Sequence, residues 1–538
     1  MKNECKLFRP VRLFVCATVI GFAALSFMVP VASAHGRDLV IASDLMQIET
    51  LDPSKIYTDT ANIYAVSVYE QLLTLDDDNR IKPLLAKSWQ VNDQQSEFTF
   101  KLDGNACFSD GSPVESKDVK WSLERLKNIK GQGAHLADEI AVIETPDAQT
   151  VIIRLTGPHS DFLQLLTAGM FSIINSDVAI ANGALSDETA VKSDKAEAWF
   201  LTHSAGSGAF VLDSYSTGKA LRLTRNENYW GTKALVPGIV FQQVKGAKAQ
   251  AEMLRSGTAD IAMQIDSRTA KTLEGSGVQV DVGPSNKFIY LALAPGAKDI
   301  GVNLSPEVRQ AISLAINRDA LIELTLGLDG GRLLAAPIPL DFPGGAGHPT
   351  PEFNPAKAKE LLAAAGLAVG FKLKSIYPEL NVYGVDFSVM MKGVREDLLK
   401  VGIELELLPA PSFAEWRKAA NGEHIPLTAV FFEPDYFGTS NYINFFGLSK
   451  GSVWANRAGA ADYPSLLNPR TAELRRRALA ARTTQEANKL WFEAGQEIIA
   501  SKIILPMMSP NLILAYGAKI KGIRDNASCA LLLTEISY

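Results

Sequence analysis

Short β-branched runs alternate with capped, amphipathic helical stretches along the whole chain, and this alternation limits the fold more than any other feature. "FTFKL" (Phe98 to Leu102) and "TVIIRL" (Thr150 to Leu155) read as strands, the first from its period of two, the second from its β-branched content. The turn signals "DGNACFSDGSP" and "TGP" follow them. In "LSPEVRQAISLAINRDALIEL", Ser305 can cap the free N–H groups of a helix that opens on Pro306. Val308, Ile312, Ala315 and Ile316 then fall on one face. "NPAKAKELLAAAG" repeats the device, with Asn354 as cap, Pro355 first and Gly366 just past the end. Further helical stretches lie at "WRKAANG" near Trp416 and "AELRRRALAAR" from Ala472. Arg475, Arg476 and Arg477 point in different directions on such a helix and are expected on a solvated face. The Pro- and Gly-rich stretch from Ala336 to Pro355 is expected as a surface loop or a crossing between subdomains. With no internal repeat, 538 residues of mixed strands and helices imply α/β lobes, about two or three domains.

The N-terminus reads as a secretory signal. Lys2, Lys6, Arg9 and Arg12 precede the apolar run Leu13 to Val29, and "VASA" ends it with small residues. Cleavage is expected after Ala34; the rival reading is an uncleaved anchor, because the run is nearly long enough to span a bilayer. Cleavage removes four basic side chains and one acidic, so a net charge of −6 becomes −9. A composition 47% hydrophobic and 21% charged argues against disorder over most of the chain. No basic patch stands out, so nucleic acid is not expected as a partner. Cys5 and Cys16 leave with the signal; Cys107 and Cys529 remain, as a disulfide or as two buried thiols.

Catalytic signatures are missing. The sequence holds no G-x-x-x-x-G-K-[ST] loop, no H-E-x-x-H helix and no G-x-S-x-G elbow. "GSGAF" (Gly206 to Phe210) is Gly-rich without the phosphate-loop lysine and reads as a backbone turn. The six histidines are scattered, so neither a metal nor another cofactor is expected. His35 would become the N-terminal residue after cleavage, where an amine and a ring can chelate copper; a frayed terminus is the plainer reading. No nucleophile–base–orienter set is visible, so binding is expected rather than catalysis.

One stretch resists the ordinary partition of inside and outside. "FFEPDYFGTSNYINFF", Phe431 to Phe446, sets Glu433 and Asp435 among seven aromatic rings. Rings favour burial, and unpaired carboxylates oppose it.

Several segments, in order, resemble the extracytoplasmic solute-binding proteins of peptide-type (dipeptide, oligopeptide, nickel) ABC importers. They are Ile48 to Asp76, "PLLAKSW" (Pro83 to Trp89), and "FTFKLDGNACFSDGSPVESKDVKWSLER" with its F-x-D-G-x-P turn. "GSGAFVLDSY…LRLTRNENYWG", "LRSGTADI", "VRQAISLAINRDALI" and "FNPAKAKELLAAAG" follow. Trp121 and Trp230 within these blocks read as packing residues. The resemblance implies an α/β, two-lobed periplasmic binding protein-like fold (type II, cluster C) with an extra domain inserted in the first lobe. Lobe one would comprise residues 36–68, 205–290 and 509–538, the inserted domain 69–204, and lobe two 291–508. It implies a monomeric periplasmic receptor without enzymatic activity, delivering a small peptide or related amine-bearing solute to a membrane permease; the alternative is an oligosaccharide- or opine-type solute.

In peptide-binding members an Asp after a short strand meets the ligand's ammonium, and Asp435 falls at that place after "LTAVFF". Phe432 and Glu433 would lie beside the ligand, Trp416 would line the pocket, and Tyr57 and Thr58 would face it from lobe one. The chain departs from the family pattern at Glu433 and at "GTSN" (Gly438 to Asn441), where its ligand is expected to differ from a plain dipeptide.

Overall fold

The computed structural model describes residues 36–538 except 298–299, 328, 423–424 and 527–528. The leader through Ala34, its cleavage site and His35 lie outside the described residues.

One long strand, Ile504–Gly517, organises the molecule. Its first part pairs antiparallel with Phe288–Leu293, its last part with Val278–Pro284 and Ile261–Ala262. On the second side, Phe288–Leu293 continues through Leu427–Phe432 and Phe371–Pro378 to Ile403–Ala410. On the first, Ile261–Ala262 continues through Leu39–Ser43 and Gly238–Gln243 to the Ala220–Arg225 and Phe210–Ser216 hairpin. Two lobes thus share one strand. The six residues Phe288–Leu293 are all buried, which requires packing on both faces of that part of the sheet. The chain crosses between lobes at Pro284–Lys287 and again near Ser509–Asn511. There Ser285 Oγ donates to the Pro510 carbonyl, and Ser509 Oγ donates to that of Ser285 at 3.0 Å.

A separate four-stranded antiparallel sheet is built from Ala86–Val91, Glu97–Leu102, Thr150–Leu155 and Ile140–Asp147. The alternation read in "FTFKL" holds: Phe98, Phe100 and Leu102 are buried against the helix Ser116–Asn128. A capping box of Glu115 and Asp118 starts that helix. Its Arg125, fully buried, donates to Asp52 at 2.5 Å and ties the four-stranded unit to lobe one.

The expected boundary at 204 differs from the packing. Ile174, Ala179, Ala184 and Phe200 belong to the lobe-one core, whereas the four-stranded unit keeps its own core from Ile56 to Ile173. Gly206 and Gly208 fit because the chain presses on the end of the helix Asp59–Val68; a Cβ on either would meet the Val68 or Ser67 carbonyl at 2.0 or 2.5 Å. The helix expected after Ser305 runs Pro306–Ala315, and a second helix, Arg318–Leu326, starts behind its Asn317 cap. Between Leu333 and Pro355 there is no helix or strand, in line with the Pro–Gly density. Arg476 and Arg477 are exposed, but Arg475 is not on a solvated face: its Nη2 donates to Glu139 at 2.7 Å, joining lobe two to the four-stranded unit. Cys529 is a free, buried thiol, so the disulfide with Cys107 is not formed.

Candidate functional site

Three segments converge between the lobes, each placed by local chemistry. From lobe one, Asp52 accepts from the Ser54 amide at 3.0 Å, a turn that delivers Tyr57 and Thr58 to the start of the helix Asp59–Val68. From the crossing comes Lys287. From lobe two, the strand Leu427–Phe432 stops at Pro434, which has no amide hydrogen to continue the ladder. Glu433 and Asp435 then face inward. Together they border a cavity of about 580 Å³, also lined by Asn62, Tyr383, Asp525 and Cys529.

Lys287 holds the floor. It is 5% exposed and donates to Asp59 at 3.0 Å and to Glu433. The Tyr383 hydroxyl donates to the other Asp59 oxygen at 2.8 Å. The ammonium also lies 4.7 Å from the centre of the Tyr383 ring and 5.5 Å from that of Phe431. Burial and the neighbouring Asp59 charge push the Glu433 carboxyl up to about 8, while Lys287 and its other donors hold Asp59 low against burial. Cys529 is pushed up to about 12 by burial, so it is an inert thiol here.

Asp435 stands apart from this group. Its amide donates to Asn441 Oδ1 at 3.2 Å, and Asn441 Nδ2 donates to Asp435 Oδ2 at 3.0 Å. Asn441 belongs to the "GTSN" departure, so this variation clamps the carboxylate. Burial raises the Asp435 carboxyl, His135 opposes that from a distance, and no ion pair to Asp435 is formed among the described residues.

Four of the expected residues, Asp435, Glu433, Tyr57 and Thr58, come together on the cavity wall. Thr58 Oγ1 is buried there without a partner among the described residues. Glu433, expected beside the ligand, borders the cavity and accepts from Lys287. The other two residues do not reach the cavity. Trp416 is 1% exposed, donates from Nε1 to Thr428 at 2.8 Å and stacks on Phe413. Phe432 is buried among Tyr442, Phe445 and Phe446. Phe432 ends the strand with its ring in the core, and Glu433, the first residue past the strand, is the one that reaches the cavity.

Asp59, Lys287, Tyr383 and Asp525 escaped the sequence reading. Lys287 had a signal: it is a lone cation at the entry of the wholly apolar "FIYLAL", where a buried charge needs a carboxylate. Tyr383, 324 positions from Asp59, had none.

The lobes touch around the cavity. Arg268 donates to the Leu324 carbonyl at 2.6 Å and the Arg417 guanidinium sits 5.0 Å from the centre of the Tyr57 ring, while Ser440 Oγ of lobe two donates to Asp161 of the four-stranded unit at 2.7 Å. Such contacts between opposed walls suit a cleft that opens and shuts at the two crossings.

Known proteins share this fold. The chain is 25% identical over 503 residues to the probable D,D-dipeptide-binding periplasmic protein DdpA of Escherichia coli K12, covering 92% of this chain and 93% of that one. The periplasmic binding protein DppA of Helicobacter pylori, solved with the peptide STSA, superposes with a TM-score of 0.79 at 22% identity, over 93% of this chain and 98% of that one. AgaA of A. tumefaciens R10, solved with agropinic acid, superposes with a TM-score of 0.78 at 21% identity, with the same coverage. The profile of the bacterial extracellular solute-binding proteins, family 5 (middle region), matches residues 80–454, well over half of the sequence. This chain belongs to that family of bacterial extracellular solute-binding proteins.

Proposed function

We propose that the chain captures a small peptide, or a related amine-bearing solute, in the interlobe cavity and hands it to the permease of an ABC importer. One observation carries the reading: Asp435, clamped by Asn441, faces the cavity without a cation of its own among the described residues. A carboxylate withdrawn from water gains most from a cation that donates hydrogen bonds to it, and an ammonium does so. Tyr57 and Thr58 would meet the same ligand from lobe one, Glu433 would reach it from the floor, and Phe432 and Trp416 would stiffen the wall behind. A solute touching both lobes binds the closed state better than the open one, and so drives closure. The protein acts as a monomer without catalysis, in the periplasm, after cleavage behind Ala34. A three-part division fits this role: lobe one of 36–68, 205–290 and 509–538, lobe two of 291–508, and the insertion 69–204, whose last part, from Ile174 on, packs into the lobe-one core.

The oligosaccharide reading has less support. Of the rings in "FFEPDYFGTSNYINFF", Phe437 borders the cavity, while Phe432, Tyr442 and Phe446 pack in the lobe-two core. A thermal-shift comparison separates the two: peptides or amines raise Tm if Asp435 receives an ammonium, and a response to oligosaccharides alone refutes that role. Mass spectrometry of solute retained through purification is the independent check.

A further inference from the structure

We infer that the cavity selects a ligand carrying more positive than negative charge: cationic groups lie against Asp435 of lobe two and Asp525 of lobe one, and no free carboxylate enters. This rests on the cavity being the solute site proposed above, and it narrows the class to dicationic amines, such as a basic peptide with a blocked C-terminus.

Among the described residues, the lining contains seven carboxylates and a single cation, Lys287. Three of the carboxylates have arginines: Arg524 donates to Asp77 at 2.9 Å, Arg332 donates to Asp341 at 2.6 Å, and Arg80 lies 3.0 Å from Asp78. Two more, Asp59 and Glu433, are on Lys287. Asp435 and Asp525 remain, and neither has an ion pair among the described residues. They stand on opposite lobes, since the segment after Gly517 packs Ile520, Leu531 and Leu533 into the lobe-one core.

Both are held in an environment that disfavours their charge. Burial raises Asp435. Asp525 reaches water on the open side of the cavity, yet the surrounding protein still raises it, and the charges of Asp281 and Asp77 add to the rise. A cation placed beside either relieves that cost, and two relieve it on both lobes, which couples binding to closure.

The same wall charges reject a free carboxylate. A zwitterionic dipeptide brings one into a space whose single described cation is 5% exposed, already neutralised by Asp59 and also bonded to Glu433. Like charges set close together in an interface repel and exclude wrong partners.

Calorimetry on the full mature protein tests this with three probes of one backbone: Lys-Ala amide, Ala-Ala amide and unblocked Ala-Ala. Affinity is expected to fall in that order by roughly tenfold per step, with the steeper salt dependence for Lys-Ala amide. Asp525→Asn is expected to abolish the advantage of Lys-Ala amide over Ala-Ala amide. Its melting temperature reports folding separately, because Asp525 is exposed and forms no ion pair among the described residues. Unblocked Ala-Ala binding as tightly as its amide overturns the inference and leaves the peptide-receptor reading standing. So does an Asp525→Asn protein that keeps the full advantage. Binding of none of the three overturns both.

Discussion

Glu433→Gln distinguishes two descriptions of the carboxyl pair on Lys287. Asp59 accepts from Lys287 on one oxygen and from Tyr383 on the other, and it opens a helix whose N-terminal end favours an anion. Glu433 accepts from Lys287 and, keeping its proton, donates a hydrogen bond to Asp59. The proton of the pair therefore resides on Glu433 at neutral pH, in line with its rise from 4.5 to about 8 through burial and the Asp59 charge. A carboxyl raised in this way favours the folded state at low pH. That contribution is complete below 4.5 and is lost as pH climbs through about 8, because the unfolded chain releases the proton first. Unscreened, the effect would reach ~5 kcal/mol at pH 8. Because 37% of the side chain faces solvent in the cavity, water screens most of it and ~1–2 kcal/mol remains. An amide at this position keeps an oxygen for Lys287 and a donor for Asp59, and has no proton to lose. E433Q is expected to match wild type within ~0.5 kcal/mol at pH 5. At pH 8 it should be more stable by ~1–2 kcal/mol, read from urea midpoints by tryptophan fluorescence. The double variant Asp59→Asn with Glu433→Gln leaves Lys287 buried without a carboxylate and should lose ~3–5 kcal/mol at both pH values. The opposite ordering, with E433Q weaker than wild type at pH 8 and equal to it at pH 5, would make Glu433 the ionised partner and refute the reasoning.

Three other outcomes follow from the same geometry. Asp435→Asn should weaken binding of an amine-bearing ligand by ~2–4 kcal/mol in calorimetry, and an unchanged Kd would remove Asp435 from the site. Trp416→Phe breaks the bond to Thr428 and should cost ~1–2 kcal/mol of stability while leaving Kd within about twofold, since Trp416 does not line the cavity. Glu70, 3% exposed between the Tyr229 hydroxyl and the Trp230 indole N–H, is pushed up to about 7 by burial. Its contribution is present below 4.5 and fades as pH rises through about 7, so wild type should lose up to ~3 kcal/mol from this group between pH 5 and pH 8. Glu70→Gln should flatten that slope in thermal melts, and an unchanged slope would contradict it.

Local elements were readable because their causes are local. Asn354 accepts from the Lys357 amide and Pro355 opens the helix, and each of those interactions spans a few residues of sequence. The Leu427–Phe432 strand ends at Pro434 for a reason written in the same six residues and the two that follow. The resemblance supplied what period and capping could not, the order of the lobes and the place of Asp435. Two kinds of detail stayed hidden. One is orientation: Phe432 and Trp416 are large rings near the cavity, and an aromatic on a pocket wall has the same letter as one in the core behind it, so register and packing alone decide. The other is charge pairing at long range. Asp59 and Glu433 lie 228 and 146 positions from Lys287, and their meeting follows from the sharing of one strand between lobes, which no window of sequence contains. The two anomalies in "FFEPDYFGTSNYINFF" mark those hidden parts. Glu433 is where the floor of the cavity is neutralised, and Asn441 is where Asp435 is held. Each replaced an exchange with solvent by a fixed partner, and that leaves Asp435, rather than Glu433, as the open carboxylate on this edge of lobe two.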